Sequence, residues 1–234
     1  MSKEKEYKWQ WDTKEHNRYW GSELAKAKNN IKKMKELSDR WNPYEHSKKD
    51  VDQLIRLCVP KKTYDLVTID YGSYAGKWTR ELMDVSSKVI CVDLHKESKD
   101  CIERRHANYC KNSKCSLEYY VTKGDELSGI DSESVDFIFS IDSLVRASSK
   151  VLQNLSCEFY RVLKPGGFCL INLHREYIQI NGPENGREYP EFTFDGDSRI
   201  NWSEKYSKQV NDLNPETTMV GPNKTRSSFL VLKK

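Results

Sequence analysis

The chain has 234 residues, of which 37% are hydrophobic and 32% are charged, and its formal net charge at pH 7 is +4. It has no apolar run of the roughly 18 to 20 residues that a membrane span needs, and its start, MSKEKEYK, lacks the apolar core of a signal peptide. We therefore expect a polar, globular, cytoplasmic protein with one domain, or one domain plus an extension.

Residues 1–46 are predicted to form an N-terminal extension. Aromatic residues are frequent near its start, and apolar residues at helical spacing predict one helix from about Ser22 to Leu37. The extension either packs on the main domain or forms a lid over a binding site. Lysines crowd the predicted helix, and such a stripe is either a solvated face or an attraction for an anionic partner.

Residues 47–234 are predicted to form the main domain. A first helix is expected near 51–58, before Pro60. The predicted strands lie near 66–70, 88–93, 117–121, 135–141 and 167–173, and the helices between them lie near 77–84, 97–109 and 148–163. This alternation predicts an α/β fold with a doubly wound, mainly parallel Rossmann-like sheet, helices on both faces and the N-terminal helical extension. Two further short runs, near 190–194 and 227–232, predict antiparallel strands at the sheet edge.

The chain has seven cysteines and no Cys-x-x-Cys pair. Several of these cysteines fall inside predicted strands or helices. The pattern is typical of reduced, mostly buried thiols, and we expect neither a disulfide framework nor a metal site.

The segment between the first two predicted strands resembles the start of a nucleotide-type cofactor site. An apolar run ending at Asp70 leads into a turn with Gly72 and Gly76, and the next apolar run ends at Asp93. Tyr74 stands at the middle position, where a dinucleotide site has a third glycine, and its side chain would obstruct a pyrophosphate. S-adenosylmethionine carries no phosphate, and the two acids suit its ammonium group and ribose hydroxyls. An ordinary strand–turn–helix with strand-end acids is the alternative.

Five segments in one order resemble the class I S-adenosylmethionine-dependent methyltransferases. They are the turn from Asp70 to Gly76, Asp93, the stretch 124–127, the strand 135–140 and the sequence RVLKPGG at 161–167. The chain also has a narrower resemblance to bacterial sugar or polysaccharide methyltransferases. It is carried by the extension's aromatic residues, the turn Gly76-Lys77-Trp78-Thr79 and the segment 131–146. It implies O-methylation of a small polar acceptor, such as a saccharide or its phosphate.

The resemblance also implies which residues bind the cofactor. Those expected to hold the methionine part are Asp70, Tyr71, Gly72, Ser73 and Gly76. Asp93 would bind the ribose, Leu94 would flank the adenine, and Asp125 and Glu126 would reach the adenine amino group. Ser140 and Ile141 would line the wall behind the sulfonium.

The acceptor side departs from these relatives at Arg146, which stands where they have histidine. An arginine side chain stays protonated and cannot act as a general base. Either His174 or Asp142, both expected at the carboxyl ends of strands, takes the proton of the acceptor. Alternatively, the acceptor is already anionic and Arg146 binds it.

Two other functions stay open from the sequence. The domain could bind the cofactor without catalysis, or it could methylate RNA, as the lysine-rich helix suggests. The chain lacks the acidic-Pro-Pro-aromatic tetrad of enzymes that methylate amino groups in nucleic acids, and it has no recognisable RNA-binding module.

Overall fold

The computed structural model describes residues 14–40, 48–59, 64–144, 147, 149–174 and 227–234. Its centre is a six-stranded sheet with the strand order β3-β2-β1-β4-β5-β6. The strands are β1 Leu66–Tyr71, β2 Ser86–Asp93, β3 Ser116–Val121, β4 Val135–Ser140, β5 Leu163–His174 and β6 Ser227–Lys233. Neighbouring strands from β3 to β5 pair in parallel, whereas β6 is antiparallel to β5. The predicted fold class is confirmed, as is the predicted edge strand at 227–232.

Six helices accompany this sheet in the described parts of the chain. They are α1 Lys14–Ala27, α2 Ile31–Arg40, α3 Lys48–Cys58, α4 Thr79–Met83, α5 Glu97–Cys110 and α6 Ser149–Val162. None of these described helices is long and apolar enough to cross a membrane. The predicted strand near 190–194 and the tryptophans at 9 and 11 lie outside the described residues.

The sheet is buried on both faces because its central strands are almost continuously apolar, as in other parallel sheets. The largest fully buried side chains include Phe137 and Phe139 of β4, Phe159 of α6 and Ile69 of β1. This core makes the sheet a rigid support for the loops that leave its edges.

The strand order reverses between β1 and β4, which are hydrogen-bonded neighbours. Asp70 near the end of β1 pairs in register with Cys91 of β2 on one side and with Phe139 of β4 on the other. The carboxyl ends of these three strands therefore lie side by side. Ligands of open parallel sheets bind in the crevice at such a reversal point.

The single helix predicted over 22–37 is wrong, because α1 and α2 are separate helices. The side-chain Oδ1 of Asn30 accepts a hydrogen bond from the backbone N–H of Lys33 at 3.0 Å. Asparagine in this position caps the start of a helix, so the chain begins α2 immediately after Asn30. The apolar spacing continues through the break and conceals it.

The strand expected from about 167 begins earlier, at Leu163, directly after α6. The pairing of β5 with β4 is irregular opposite Asp136, where the Lys-Pro-Gly-Gly segment bulges out of the ladder. Gly166 has a left-handed φ of 82° there, and its N–H donates to the carbonyl oxygen of Lys234 at 2.8 Å. Proline and glycine thus shape a bulge inside β5 and do not form a separate turn before it.

Candidate active site

The turn after β1 is held against β2 by its backbone. The N–H groups of Gly72 and Ser73 both donate to the carbonyl oxygen of Val92, at 2.8 and 3.1 Å. Gly72 and Gly76 have left-handed φ angles of 76° and 70°. A Cβ on Gly76 would lie 2.9 Å from Cγ1 of Ile102 in α5. Glycine at position 76 therefore allows both the tight turn and the close packing of α5.

Asp93, the last residue of β2, is fixed by two backbone donors. Its Oδ2 accepts from the N–H of Tyr74 at 2.8 Å, and its Oδ1 accepts from the N–H of His95 at 2.9 Å. Burial raises the pKa of this carboxyl, while His95 and the backbone N–H groups oppose that rise. Each carboxylate oxygen has two acceptor positions, so both oxygens retain capacity for a hydroxyl donor. This arrangement fits the vicinal hydroxyls of a ribose.

Asp70 is a second buried acid at this edge, with 4% of its surface exposed. The hydroxyl of Thr79 donates to its Oδ2 at 2.6 Å. Burial raises the pKa of Asp70 to about 7, the Thr79 hydrogen bond lowers it, and the nearby Asp93 and Glu81 raise it. A buried carboxylate among other acids is stabilised by a cation. Asp70 therefore fits the ammonium group of a methionine moiety.

Replacing Asp70 with Asn is expected to stabilise the ligand-free protein above pH 7. Because burial raises the folded-state pKa from 3.8 to about 7, the folded protein binds more protons than the unfolded chain between these values. Its stability therefore falls as the pH rises through this range and stays lower above it. At pH 8 the free energy of unfolding of the Asn variant should exceed that of the unaltered protein by about 2 to 4 kcal/mol. Urea denaturation measures this difference.

The same variant should bind S-adenosylhomocysteine more weakly, because an amide does not attract an ammonium group. Thr79→Val is the matched comparison, since it removes the hydroxyl donor and leaves the carboxyl. If Asp70→Asn kept its affinity for S-adenosylhomocysteine, Asp70 would not bind the ammonium group.

Tyr71 and Tyr74 of the turn direct their side chains toward other parts of the protein. The hydroxyl of Tyr71 donates to the carbonyl oxygen of Gly124 at 2.7 Å, and its ring packs edge-on against Phe159. The ring of Tyr74 packs edge-on against Trp20 of α1 at a centroid distance of 5.5 Å. Tyr71 thus connects β1 to the loop after β3, and Tyr74 connects the turn to the N-terminal helices.

The loop after β3 carries Asp125 and Glu126, the residues expected near the adenine. Asp125 Oδ2 accepts from the side-chain amide of Asn154 at 2.8 Å. Burial opposes ionisation of Glu126, but hydrogen bonds from Ser128, Tyr120 and the N–H of Lys123 outweigh burial and lower its pKa to about 2. Glu126 is therefore an ionised carboxylate that organises its own loop, and its contact with adenine stays a prediction.

Arg161 of the RVLKPGG segment fixes the continuation of this loop. Its guanidinium donates to the carbonyl oxygens of Leu127 and Ile130, both at 2.9 Å. Glu158 completes the contact by accepting from the N–H of Leu127 at 2.7 Å and from Arg161. The arginine of this motif thus acts on the loop that follows β3.

Asp142 lies just beyond β4 and forms two hydrogen bonds with a side chain of β5. Its N–H donates to Oδ1 of Asn172 at 2.7 Å, and Nδ2 of Asn172 donates back to Oδ1 of Asp142 at 3.3 Å. Asp142 has a left-handed φ of 63°, a conformation that aspartate tolerates better than most residues. Asn172 is fully buried, so the position of Asp142 is defined by the sheet.

The loop that carries Asp142 contacts the turn after β1 across the reversal point. A Cβ on Gly72 would overlap the Ser143 hydroxyl, so the two loops meet at this glycine. Ser140, at the end of β4, is fully buried, and its hydroxyl has no hydrogen-bond partner among the described residues. A buried hydroxyl normally has a hydrogen-bond partner, so Ser140 is a candidate for contact with a ligand.

The remaining predicted site residues are placed as follows. Ser73 is buried and its hydroxyl lies 3.3 Å from that of Ser98 in α5. Leu94 is half-buried next to Asp93, and Ile141 is buried. His174 is the last residue of β5, and the position of its side chain lies outside what the structure describes. Arg146 lies outside the described residues altogether.

Two residues of this site were missed from the sequence. Thr79 is the partner of Asp70, and Asn172 is the partner of Asp142. Asn172 had a detectable signal, because it is a polar residue within the apolar run Cys169 to Leu173 of a predicted strand. Buried polar side chains in strands normally have a specific partner.

Comparison with known proteins matches part of this chain to a family model. Residues 69–171 match the family model described as a methyltransferase domain. No curated protein sequence matches the chain. Solved structures match at low sequence identity, and they are compared by fold.

A phosphoethanolamine N-methyltransferase 1 from Haemonchus contortus, solved with phosphoethanolamine and S-adenosylhomocysteine, is 16% identical and aligns with a TM-score of 0.51 over 94% of this chain and 49% of that one. A SAM-dependent methyltransferase from Aquifex aeolicus is 15% identical, with a TM-score of 0.49 over 87% of this chain and 98% of that one. The YcgJ protein of Bacillus subtilis is 18% identical, with a TM-score of 0.45 over 55% of this chain and 51% of that one.

The chain thus spans about half the length of the Haemonchus and Bacillus proteins. The Haemonchus enzyme shares the fold of this chain, and the matched family segment contains Asp70, Asp93 and Asp142. Residues 69–171 of this chain therefore match a methyltransferase domain, and the chain shares the fold of the Haemonchus enzyme.

Proposed function

We propose that this protein transfers a methyl group from S-adenosylmethionine to an oxygen of a small polar acceptor in the cytoplasm: a sugar, a sugar phosphate or another anionic metabolite. The observation that carries the choice of an oxygen is the carboxylate of Asp142, which Asn172 holds next to the turn after β1. The cofactor supplies an electrophilic methyl group on a sulfonium.

Three residues support cofactor binding in this proposal. Asp93 offers two oriented carboxylate oxygens to the ribose hydroxyls, and Asp70 offers a buried negative charge to the ammonium group. Ser140 offers a buried hydroxyl without a partner among the described residues. The proposal also keeps the roles expected from the sequence for four further residues. Those expected at the adenine are Leu94, Asp125 and Glu126, and the one expected behind the sulfonium is Ile141.

Asp142 is proposed as the general base. Methyl transfer is an in-line displacement, so the protein mainly aligns the acceptor oxygen and accepts its proton. Asn172 accepts a hydrogen bond from the backbone N–H of Asp142 and donates one to its carboxylate, which favours a defined direction for proton transfer. His174, at the end of the neighbouring strand β5, is the alternative base.

Arg146 is proposed to bind the acceptor when that acceptor is anionic. The proposal rests on the sequence alone, because a guanidinium there replaces a histidine of similar methyltransferases. A planar guanidinium orients a phosphate or carboxylate by paired hydrogen bonds.

The test is transfer of a labelled methyl group from S-adenosylmethionine to neutral monosaccharides, sugar phosphates and small carboxylates. We expect transfer to an anionic acceptor, and Arg146→Ala should raise the Michaelis constant for that acceptor by about tenfold, the loss of one charge-assisted hydrogen-bonded pair. Arg56→Ala, which removes an exposed arginine of α3, is the matched control and should change nothing.

Two outcomes would overturn this function. Binding of S-adenosylhomocysteine without transfer to any small acceptor or to RNA would indicate a non-catalytic cofactor-binding module. Transfer into RNA alone would indicate an RNA methyltransferase, and its binding to RNA should then weaken steeply with salt.

A further inference from the structure

The described part of the N-terminal extension packs directly on the turn that belongs to the cofactor site. A small apolar cluster joins α1 and α2 to the turn and to α5, and we call it the N-terminal cluster. Its buried members are Leu24, Ala27, Met34, Leu37, Ala75 and Cys101, with Tyr74 packed against them. Arg105 of α5 adds a polar link, since it donates to the Ser38 hydroxyl at 2.8 Å.

Helix α1 contacts both residues that donate hydrogen bonds to Asp93. The ring of Trp20 packs on Tyr74, whose N–H donates to Asp93 Oδ2. Gly21 lies against the ring of His95, whose N–H donates to Asp93 Oδ1. Two consecutive residues of α1 thus lie beside the side chains of the two residues whose N–H groups donate to this carboxylate.

A side chain on Gly21 would make a tight contact with the His95 ring. A Cβ on Gly21 would lie 3.1 Å from Nδ1 of His95, which is closer than ordinary van der Waals contact. Glycine in the middle of a helix lowers helix stability relative to alanine. Glycine at this position accommodates the close approach of the His95 ring.

Tyr74 needs support from its surroundings to keep its conformation. Its φ of 46° is left-handed, which is unfavourable for a residue with a large side chain. The Ser98 hydroxyl donates to its carbonyl oxygen at 2.5 Å, Asp93 accepts from its N–H, and Trp20 packs on its ring. Such conformations persist only where several contacts determine them, and α1 provides one of the three.

We propose that α1 is a positioning element for the cofactor, which acts through Tyr74 and His95 to set the Asp93 carboxylate. Docking of α1 and binding of the cofactor then stabilise each other. The inference rests on the proposed role of Asp93 in cofactor binding. By this inference, helices α1 and α2 of the N-terminal extension contribute to the function of the domain at 47–234.

Substitutions in α1 should weaken cofactor binding without touching the cofactor. Trp20→Ala and Gly21→Ala are each expected to raise the dissociation constant for S-adenosylhomocysteine by about 5- to 10-fold, the lower end of typical coupling between sites. Titration calorimetry measures this effect. Gly21→Ala is the more informative variant, because alanine favours the helix itself and should still weaken binding.

Two control substitutions match these changes. Ser22→Ala alters an exposed neighbour in α1, and Tyr64→Ala removes an aromatic ring that is 65% exposed before β1. Neither should change the dissociation constant. A double variant with Trp20→Ala and Asp93→Ala should bind no more weakly than Asp93→Ala alone, because α1 acts through that carboxylate.

Amide hydrogen exchange in the unaltered protein distinguishes a positioning helix from a purely structural one. Because coupling is reciprocal, S-adenosylhomocysteine should slow amide hydrogen exchange in residues 18–27 by about fivefold or more, with no change in α6. Unchanged exchange in α1, together with normal affinity of Gly21→Ala, would overturn the inference. If the unaltered protein did not bind S-adenosylhomocysteine, the proposed function itself would be overturned.

Discussion

Asn in place of Asp93 is expected to weaken the binding of S-adenosylhomocysteine by about 100-fold, or roughly 3 kcal/mol. Both carboxylate oxygens accept hydrogen bonds from backbone N–H groups, those of Tyr74 and His95. An asparagine has only one oxygen, so its amide nitrogen must face one of these donors in either orientation. The substitution therefore disturbs the turn after β1 as well as removing an acceptor for the ribose.

Titration calorimetry with the variant and the unaltered protein measures this loss. Asp131→Asn is the matched control, because it makes the same change of charge at an exposed position before β4. The control should bind normally. If Asp93→Asn also bound normally, Asp93 would not belong to the cofactor site.

Asp142→Asn is expected to lower the rate of methyl transfer by about 100- to 1000-fold, the usual contribution of a general base. Asparagine tolerates the left-handed backbone conformation at this position, and its oxygen can still accept from Asn172. The variant should therefore keep the fold of the loop and lose only the capacity to accept a proton. Single-turnover transfer of a labelled methyl group measures the rate.

The affinity for S-adenosylhomocysteine is the control for Asp142→Asn, and it should change by less than about twofold, as for a group that acts mainly in the transition state. Asn172→Ala should lower the rate less, because the carboxylate of Asp142 remains. If Asp142→Asn left the transfer rate unchanged, Asp142 would not be the general base. Either His174 would then be the base or the reaction would use none.

The fold and the placement of the strand-end acids were predictable because they depend on local signals. Continuous apolar runs mark buried parallel strands, and each run that ends in Asp70 or Asp93 places a carboxylate at the same edge of the sheet. The position of Asp142 after β4 follows in the same way. Strand order then brings these three acids to the reversal point of the sheet.

The side-chain partners within the site were not predictable, because they depend on tertiary contacts. The sequence shows Tyr71 and Tyr74 in the turn, but only the structure shows that one reaches Gly124 and the other reaches Trp20. The break between α1 and α2 was missed for a different reason. The cap at Asn30 is a local signal. The prediction followed the helical spacing of apolar residues, which continues past Asn30, and therefore missed the cap.

A crystal structure of the protein with S-adenosylhomocysteine tests the central claim most directly. We predict that the ribose hydroxyls bind the carboxylate of Asp93 at the end of β2, and that the ammonium group lies on the side of Asp70. We also predict that the sulfur lies near the loop of Asp142, between β1 and β4. A ligand bound away from the carboxyl ends of these strands, with Asp93 making only its two backbone hydrogen bonds, would contradict the account.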